Sequence, residues 1–231
     1  MNLVFDIGCN VGEFYSKCLQ EYPGCKVVGV DANENLIKNA PTHPNLSLVH
    51  ALVSNKDLEE VDFYIDHTQT GISSASLDFI KLSRFGKGSK YLKEGAGAWS
   101  PPTKVISVSL DSLVKTFGSP DYIKIDVEGY EYEVISGLST KHKTICFEWT
   151  EENLDVLHKC VDHLLKLGYK EFGACGYFDE GNVFPHLTYD EHGDSYLKSP
   201  NEYHPWDELK AHLNECCVPE RRVNYGMFFA I

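Results

Sequence analysis

The sequence predicts an open α/β architecture, a mostly parallel sheet with helices on both faces. Three observations point to it. Short apolar runs alternate with helical patterns through the first two thirds of the chain. Runs such as the VVGV of residues 27–30 are apolar throughout, which suits strands covered on both sides. Several of these runs end on a carboxylate (Asp6, Asp31, Asp126, Glu148), and in an open α/β sheet the carboxyl ends of the strands are where ligands bind.

Taken in order, Leu3–Phe5 ending at Asp6 reads as a strand, and a glycine-bearing turn leads into a helix over 13–22. Residues 26–30 form a second strand ending at Asp31, residues 33–39 a short helix, and residues 46–51 a third strand. Residues 61–65 suit an edge strand. The stretch 66–103 has no periodicity, is rich in Gly, Ser and Lys, and contains Pro101-Pro102. A loop of that length inside a compact domain is usually functional. Then follow a strand at 105–108, a helix at 111–117, a strand at 122–126, a helix at 130–138 and a strand at 144–148. Residues 151–167 give the clearest helix, with Leu154, Leu157, Val161, Leu164 and Leu165 at helical spacing and Gly168 as its stop. Residues 173–206 read as an aromatic insertion, followed by a helix from Trp206 to Cys216 and a last strand over 225–231. The whole, residues 1–231, reads as a single domain with substrate-side loops at 66–103 and 173–206.

Composition narrows the function classes. The formal charge of −13, from 21 basic and 34 acidic residues, argues against a nucleic-acid partner and against an anionic membrane surface. The eight cysteines include no C-x-x-C pair. With no signal-peptide pattern and no apolar run long enough for a membrane span, reduced thiols and a cytoplasmic location are expected. The oligomeric state cannot be read from the sequence.

The first chemical constellation is Asp6, Gly8, Cys9, Asn10 and Gly12 behind the first strand, with Asp31 closing the second. Glycine there permits a sharp turn and close approach of a ligand, and a carboxylate at position 31 suits the ribose hydroxyls of a nucleoside. A dinucleotide fingerprint needs G-x-G-x-x-G, but Asn10 and Glu13 stand at its second and third glycines and oppose a diphosphate. The pattern D-x-G-x-N-x-G suits a cofactor without phosphate such as S-adenosylmethionine, whose sulfonium Asp6 would face. The second constellation is Lys124-Ile125-Asp126-Val127-Glu128-Gly129, flanked by Glu148. Three carboxylates on one rim need cations, protons or a metal to compensate them.

Together VFDIGCNVGEF, GVDANENLIKN, VSLDSL, DYIKIDVEGYEYEVISGL and CFEW resemble the FkbM-type methyltransferases over about residues 3–150. The resemblance implies a Rossmann-like class I methyltransferase fold with a seven-stranded, mostly parallel sheet. It implies methyl transfer from S-adenosylmethionine to a hydroxyl of a sugar, glycan or other small molecule. The cofactor role would fall on Asp6, Gly8, Cys9, Asn10, Gly12, Asp31, Ala32, Ala51 and Asp126, and catalysis on Asp126, Glu128 and Glu148. Many relatives have Glu-Pro where this chain has Asp31-Ala32, and the carboxylate survives the change. Asp126 or Glu128 is the expected general base, with Glu128 favoured for the acceptor side and His186, His192 and His204 in reserve. A divalent metal on Asp126, Glu128 and Glu148 is the less favoured expectation. The rival readings are a nicotinamide-dependent oxidoreductase and a non-catalytic nucleoside-binding module.

Overall fold

The structure, a computed structural model, describes residues 1–85, 92–177, 187–189, 200–216 and 225–231. In chain order the strands are β1 (Leu3–Ile7), β2 (Lys26–Asp31), β3 (Leu46–His50), β4 (Leu52–Ser54), β5 (Glu60–Phe63), β6 (Thr103–Ser109), β7 (Tyr122–Ile125), β8 (Ile145–Thr150), β9 (Phe172–Tyr177), β10 (Leu187–Tyr189) and β11 (Tyr225–Ala230). The helices are α1 (Glu13–Glu21), α2 (Glu34–Asn39), α3 (Leu77–Leu82), α4 (Leu110–Phe117), α5 (Glu131–Ser136), α6 (Leu154–Leu167) and α7 (Trp206–Cys216).

The main sheet has the order β10-β9-β11-β8-β7-β1-β2-β3, and β11 alone runs antiparallel to its two neighbours. Without the three-residue β10, which extends the edge, the sheet has the seven mostly parallel strands expected above. Alternation along the strands sorts side chains to two faces. Phe5, Ile7, Ile123, Ile125 and Phe147 enter the larger core with α5 and α6, while Val4, Tyr122 and Cys146 enter a second core with α1. β7 is buried along its whole length, as its central place demands.

Three expectations need correction. The strands at 61–65 and 105–108 do not join the main sheet; as β5 and β6 they pair with each other and, through β6, with β4 in a separate three-stranded sheet. Phe172–Tyr177, read as part of an insertion, is a strand of the main sheet beside β11. Its glycines hid it, and they have a packing reason: a Cβ at Gly173 would press on the Pro200 ring at 2.6 Å. The stretch 66–103 is not structureless. It contains a 3-10 turn at Thr70–Ile72 and helix α3, capped by the Ser76 side chain accepting from Phe79 N at 3.2 Å.

Cys9, Cys18, Cys25, Cys146 and Cys160 are buried. Among the described residues no helix is long and apolar enough to cross a membrane. His186 and His192 lie outside the described residues.

Candidate active site

β1 lies between β2 and β7, so the chain leaves β1 toward one side of the sheet and β7 toward the other. Such a reversal opens a crevice at the carboxyl ends of the strands. A cavity of about 240 Å³ occupies it, and Gly8, Asn10, Asp31, Ala32, Ala51, Asp126 and Glu128 are among its walls. The remaining wall includes the apolar Leu52, Val53 and Phe63 and, from the 66–103 stretch, Thr70, Gly71, Ser73 and Ala75.

Asp31 forms the floor. One of its carboxylate oxygens accepts from Asn10 N at 2.8 Å and the other from Asn33 N at 2.7 Å. Each oxygen keeps a second lone pair for a ligand hydroxyl. Burial pushes the Asp31 carboxyl above its ordinary range despite those two donors, so further donors from a ligand would be favourable. Asn10 has a left-handed backbone (φ 45), a region that Asn tolerates better than most residues, and its side chain accepts from the Thr70 hydroxyl at 2.8 Å.

Three expected cofactor residues stand behind the wall rather than in it. Asp6 is fully buried and faces Lys124, not the cavity; Asp6 and Lys124 are register partners on β1 and β7, on the same face. Cys9 packs in the second core with Val4, Phe14 and Tyr15. Gly12 (φ 87) is the N-cap of α1, and a Cβ there would strike the Tyr15 ring. Gly8 (φ 72) does line the cavity, but its lack of a side chain serves another contact: a Cβ would strike the Asp126 carbonyl.

Lys124 ties these parts together. Its ammonium lies 3.1 Å from Asp6 Oδ1 and 3.6 Å from Asp126 Oδ2, and it donates to the Gly8 carbonyl at 2.8 Å. Burial draws the ammonium's pKa down, but the two carboxylates outweigh it and hold it above its ordinary value. For Asp6 burial wins over Lys124 and raises the carboxyl. A single ammonium thus serves two carboxylates, of which Asp6 is the one with no exposure.

The turn after β7 gathers the acidic residues. Asp126, Glu128 and Glu148 each offer an oxygen within 4.8 Å of the others, a spacing that a divalent ion could also use. Burial, then the charges of Glu148, Asp126 and Glu131, push Glu128 well above the usual carboxylate range, against Arg84. Burial and the charges of Asp126 and Glu131 do the same to Glu148. Arg84 reaches this side from the 66–103 stretch, makes a two-point contact with Glu152 at 2.9 and 2.8 Å, and lies over the Tyr225 ring at 4.7 Å. His204, by contrast, pairs its backbone with Phe172 beside β9 and does not line the cavity.

Sequence reasoning missed two residues that shape the site. Glu131 is buried, and one of its oxygens accepts from Val127 N at 3.3 Å and from Gly129 N at 3.1 Å. Burial raises its carboxyl to about 7, with Asp126 adding to the rise and the backbone donors opposing it. Asp66 gathers the start of the 66–103 stretch: it accepts from Thr68 N, Gln69 N and, at 2.6 Å, Gly97 N. The Asp66-His67-Thr68-Gln69 run has the pattern of an Asx turn, a signal available in the sequence.

Glu131 gives a stability prediction. Its folded pKa lies above its unfolded value, so between about pH 4.5 and 7 the folded state carries a proton that the unfolded state has lost. Stability is therefore expected to fall as pH rises through that window, by roughly 3 kcal/mol from this group. Glu131→Gln keeps an acceptor oxygen and should flatten that share of the slope in urea titrations at pH 5 and pH 8. An unchanged slope would place the titration elsewhere.

Comparison with known proteins bears on this geometry. Residues 6–172 match the family model described as the methyltransferase FkbM domain. No curated protein matches the chain. Among solved structures, an FkbM methyltransferase from Methylobacillus flagellatus KT is 11% identical with a TM-score of 0.47, covering 74% of this chain and 39% of its own. This chain thus spans well under half the length of that protein. A precorrin-6y C5,15-methyltransferase from Geobacter metallireducens GS-15 is 13% identical, with a TM-score of 0.44 and coverage of 100% and 79%. A SAM-dependent methyltransferase from Archaeoglobus fulgidus is 16% identical, with a TM-score of 0.39 and coverage of 99% and 85%. The family match takes in the glycine turn, Asp31, the Asp126–Glu131 turn and Glu148, and by it the chain belongs to the FkbM methyltransferase domain family.

Proposed function

We propose that this chain transfers a methyl group from S-adenosylmethionine to a hydroxyl oxygen of a sugar or glycan. The observation that carries the reading is the charge of the cavity wall. Asp31, Asp126 and Glu128 line it, and no Lys or Arg does among the described residues. Such a wall favours a ligand that brings a sulfonium and an ammonium, and disfavours a diphosphate. Asp31 would accept from the ribose hydroxyls, and Ala51, Leu52, Val53 and Phe63 offer an apolar wall for a base.

When bound, S-adenosylmethionine would supply an electrophilic methyl carbon and, as its leaving group, a sulfur that becomes the neutral thioether. The chain's residues do the rest. Asp126, ending β7 on the cofactor side, would face the ammonium. Glu128 would take the hydroxyl proton as the new bond forms, and pass it to solvent afterwards. Glu148 beside it would hold a neighbouring hydroxyl, and a polyol presents adjacent donors to such a pair.

Calorimetry tests the cofactor. S-adenosylmethionine should bind and NAD should not, and Asp31→Ala should weaken binding by about 1.5–3 kcal/mol, the range for a charge-assisted hydrogen bond. Parental affinity in Asp31→Ala would move the nucleoside site elsewhere. A panel of sugars with methyl-labelled cofactor tests the acceptor: label in a sugar ether is expected, and a cofactor that binds without any transfer would favour a binding module. Transfer should survive exhaustive chelation; its loss would assign Asp126, Glu128 and Glu148 to a divalent ion.

A further inference from the structure

We infer that Ser74 is a positioning residue for Glu128: its hydroxyl fixes the peptide unit that aims the Glu128 side chain into the site. The inference rests on the reading of Glu128 as the base. Glu128 adopts a left-handed backbone (φ 55), and Gly129 follows with φ 87. For a glutamate this conformation is unfavourable and persists only where the surroundings impose it.

Two side chains impose it, from opposite ends of one peptide unit. The carbonyl of Glu128 accepts from Ser74 Oγ at 2.6 Å, and the N–H of Gly129 donates to Glu131 Oε1 at 3.1 Å. The carbonyl and the N–H belong to the same rigid plane. A plane held at one end can still tilt about that end, letting residue 128 leave its left-handed φ and ψ and carry the Glu128 side chain with it. Held at both ends, it cannot. Glu131 alone is thus insufficient.

Ser74 is itself held in place. It is fully buried, its backbone exchanges two hydrogen bonds with Tyr64 (2.9 and 3.0 Å), and its Oγ accepts from Ser76 N at 2.8 Å. A hydroxyl has one proton to donate, and here it goes to the Glu128 carbonyl. Four residues earlier on the same stretch, Thr70 donates to Asn10 in the cofactor turn. The segment 70–74 therefore spans the cavity and grips both of its halves.

Ser74→Ala and Ser74→Cys, in protein carrying ¹³C-carboxyl glutamate, test this by NMR titration, with Glu128→Gln assigning the resonance. The readout needs no acceptor and is separate from turnover, so failure of this inference and failure of the base assignment are told apart. In the parent, Glu128 should titrate well above an ordinary glutamate. In Ser74→Ala its midpoint should fall by about one pH unit or more as the turn is released toward solvent, with Ser74→Cys between the two. S-adenosylmethionine affinity, read by calorimetry, should stay within about threefold, since Asp31 and Asn10 are untouched. A parental Glu128 midpoint in Ser74→Ala overturns the inference. So does failure of both variants to fold, because the hydroxyl would then be holding the fold and not Glu128.

Discussion

Glu128→Gln is expected to lower methyl transfer by about 10²–10⁴, the usual scale for removing a general base, while leaving S-adenosylmethionine affinity intact. The isostere keeps the size of the side chain and loses the ability to take a proton. Glu128 suits the role because burial and the neighbouring carboxylates raise its pKa, and a base is most effective when its pKa lies near the working pH. The sign follows. The base must be ionised, so the rate should rise with pH through the Glu128 midpoint, and that acidic limb should lie above the position of an ordinary glutamate. Glu148→Gln removes a repelling charge and should move the limb to lower pH. Asp126→Asn should damage both binding and turnover, because Asp126 lines the cavity and meets Lys124. Parental turnover in Glu128→Gln would place the base elsewhere, with Asp126, His186 and His192 the next to replace.

The alternation of apolar runs and helical patterns was enough to read the layered sheet, because strands buried on both faces leave an unbroken apolar signature. Two strand-end carboxylates were legible from position: Asp31 is the last residue of β2 and Asp126 follows directly on β7, and both line the crevice at the carboxyl ends of the strands. What the sequence hid falls into two kinds. β9 is built from Phe172-Gly173-Ala174-Cys175-Gly176, and its small residues serve close approach to Pro200 and to β11, a tertiary reason that local propensity cannot show. Asp6 looked like a ligand residue because it ends a strand beside a glycine turn. Whether it faces the cavity or the sheet depends on its partner across the strands, Lys124, which lies 118 positions away in sequence. The roles of Glu131, Ser74 and Thr70 are likewise contacts between distant turns or with backbone groups, and no spacing rule announces them.

That pairing carries the largest stability prediction. Lys124→Met should destabilise the chain by about 3–5 kcal/mol at pH 8, the scale for breaking a buried ion pair by removing one partner. Met fills much of the stem's volume, so the loss reads the charge more than the packing. The uncompensated group is Asp6, whose carboxyl burial already drives upward with Lys124 present. Without the ammonium it rises further. A carboxyl with a raised folded pKa costs stability as pH climbs from its unfolded value toward the folded one, so the variant should be much closer to the parent at pH 4 than at pH 8. Adding Asp6→Asn to Lys124→Met should restore a large part of the loss at pH 8 and abolish its pH dependence. Denaturant titrations of the single and double variants at the two pH values give the comparison. A loss of the same size at both, or none beyond about 0.5 kcal/mol, would mean that Asp6 is neutral in the folded parent and that the pair contributes little. The same ammonium donates to the Gly8 carbonyl, so in Lys124→Met the cofactor turn loses its anchor to β7. Cofactor affinity should then fall together with stability at pH 8, and Asp6→Asn, which removes the stranded charge and not the missing anchor, should restore the second without the first.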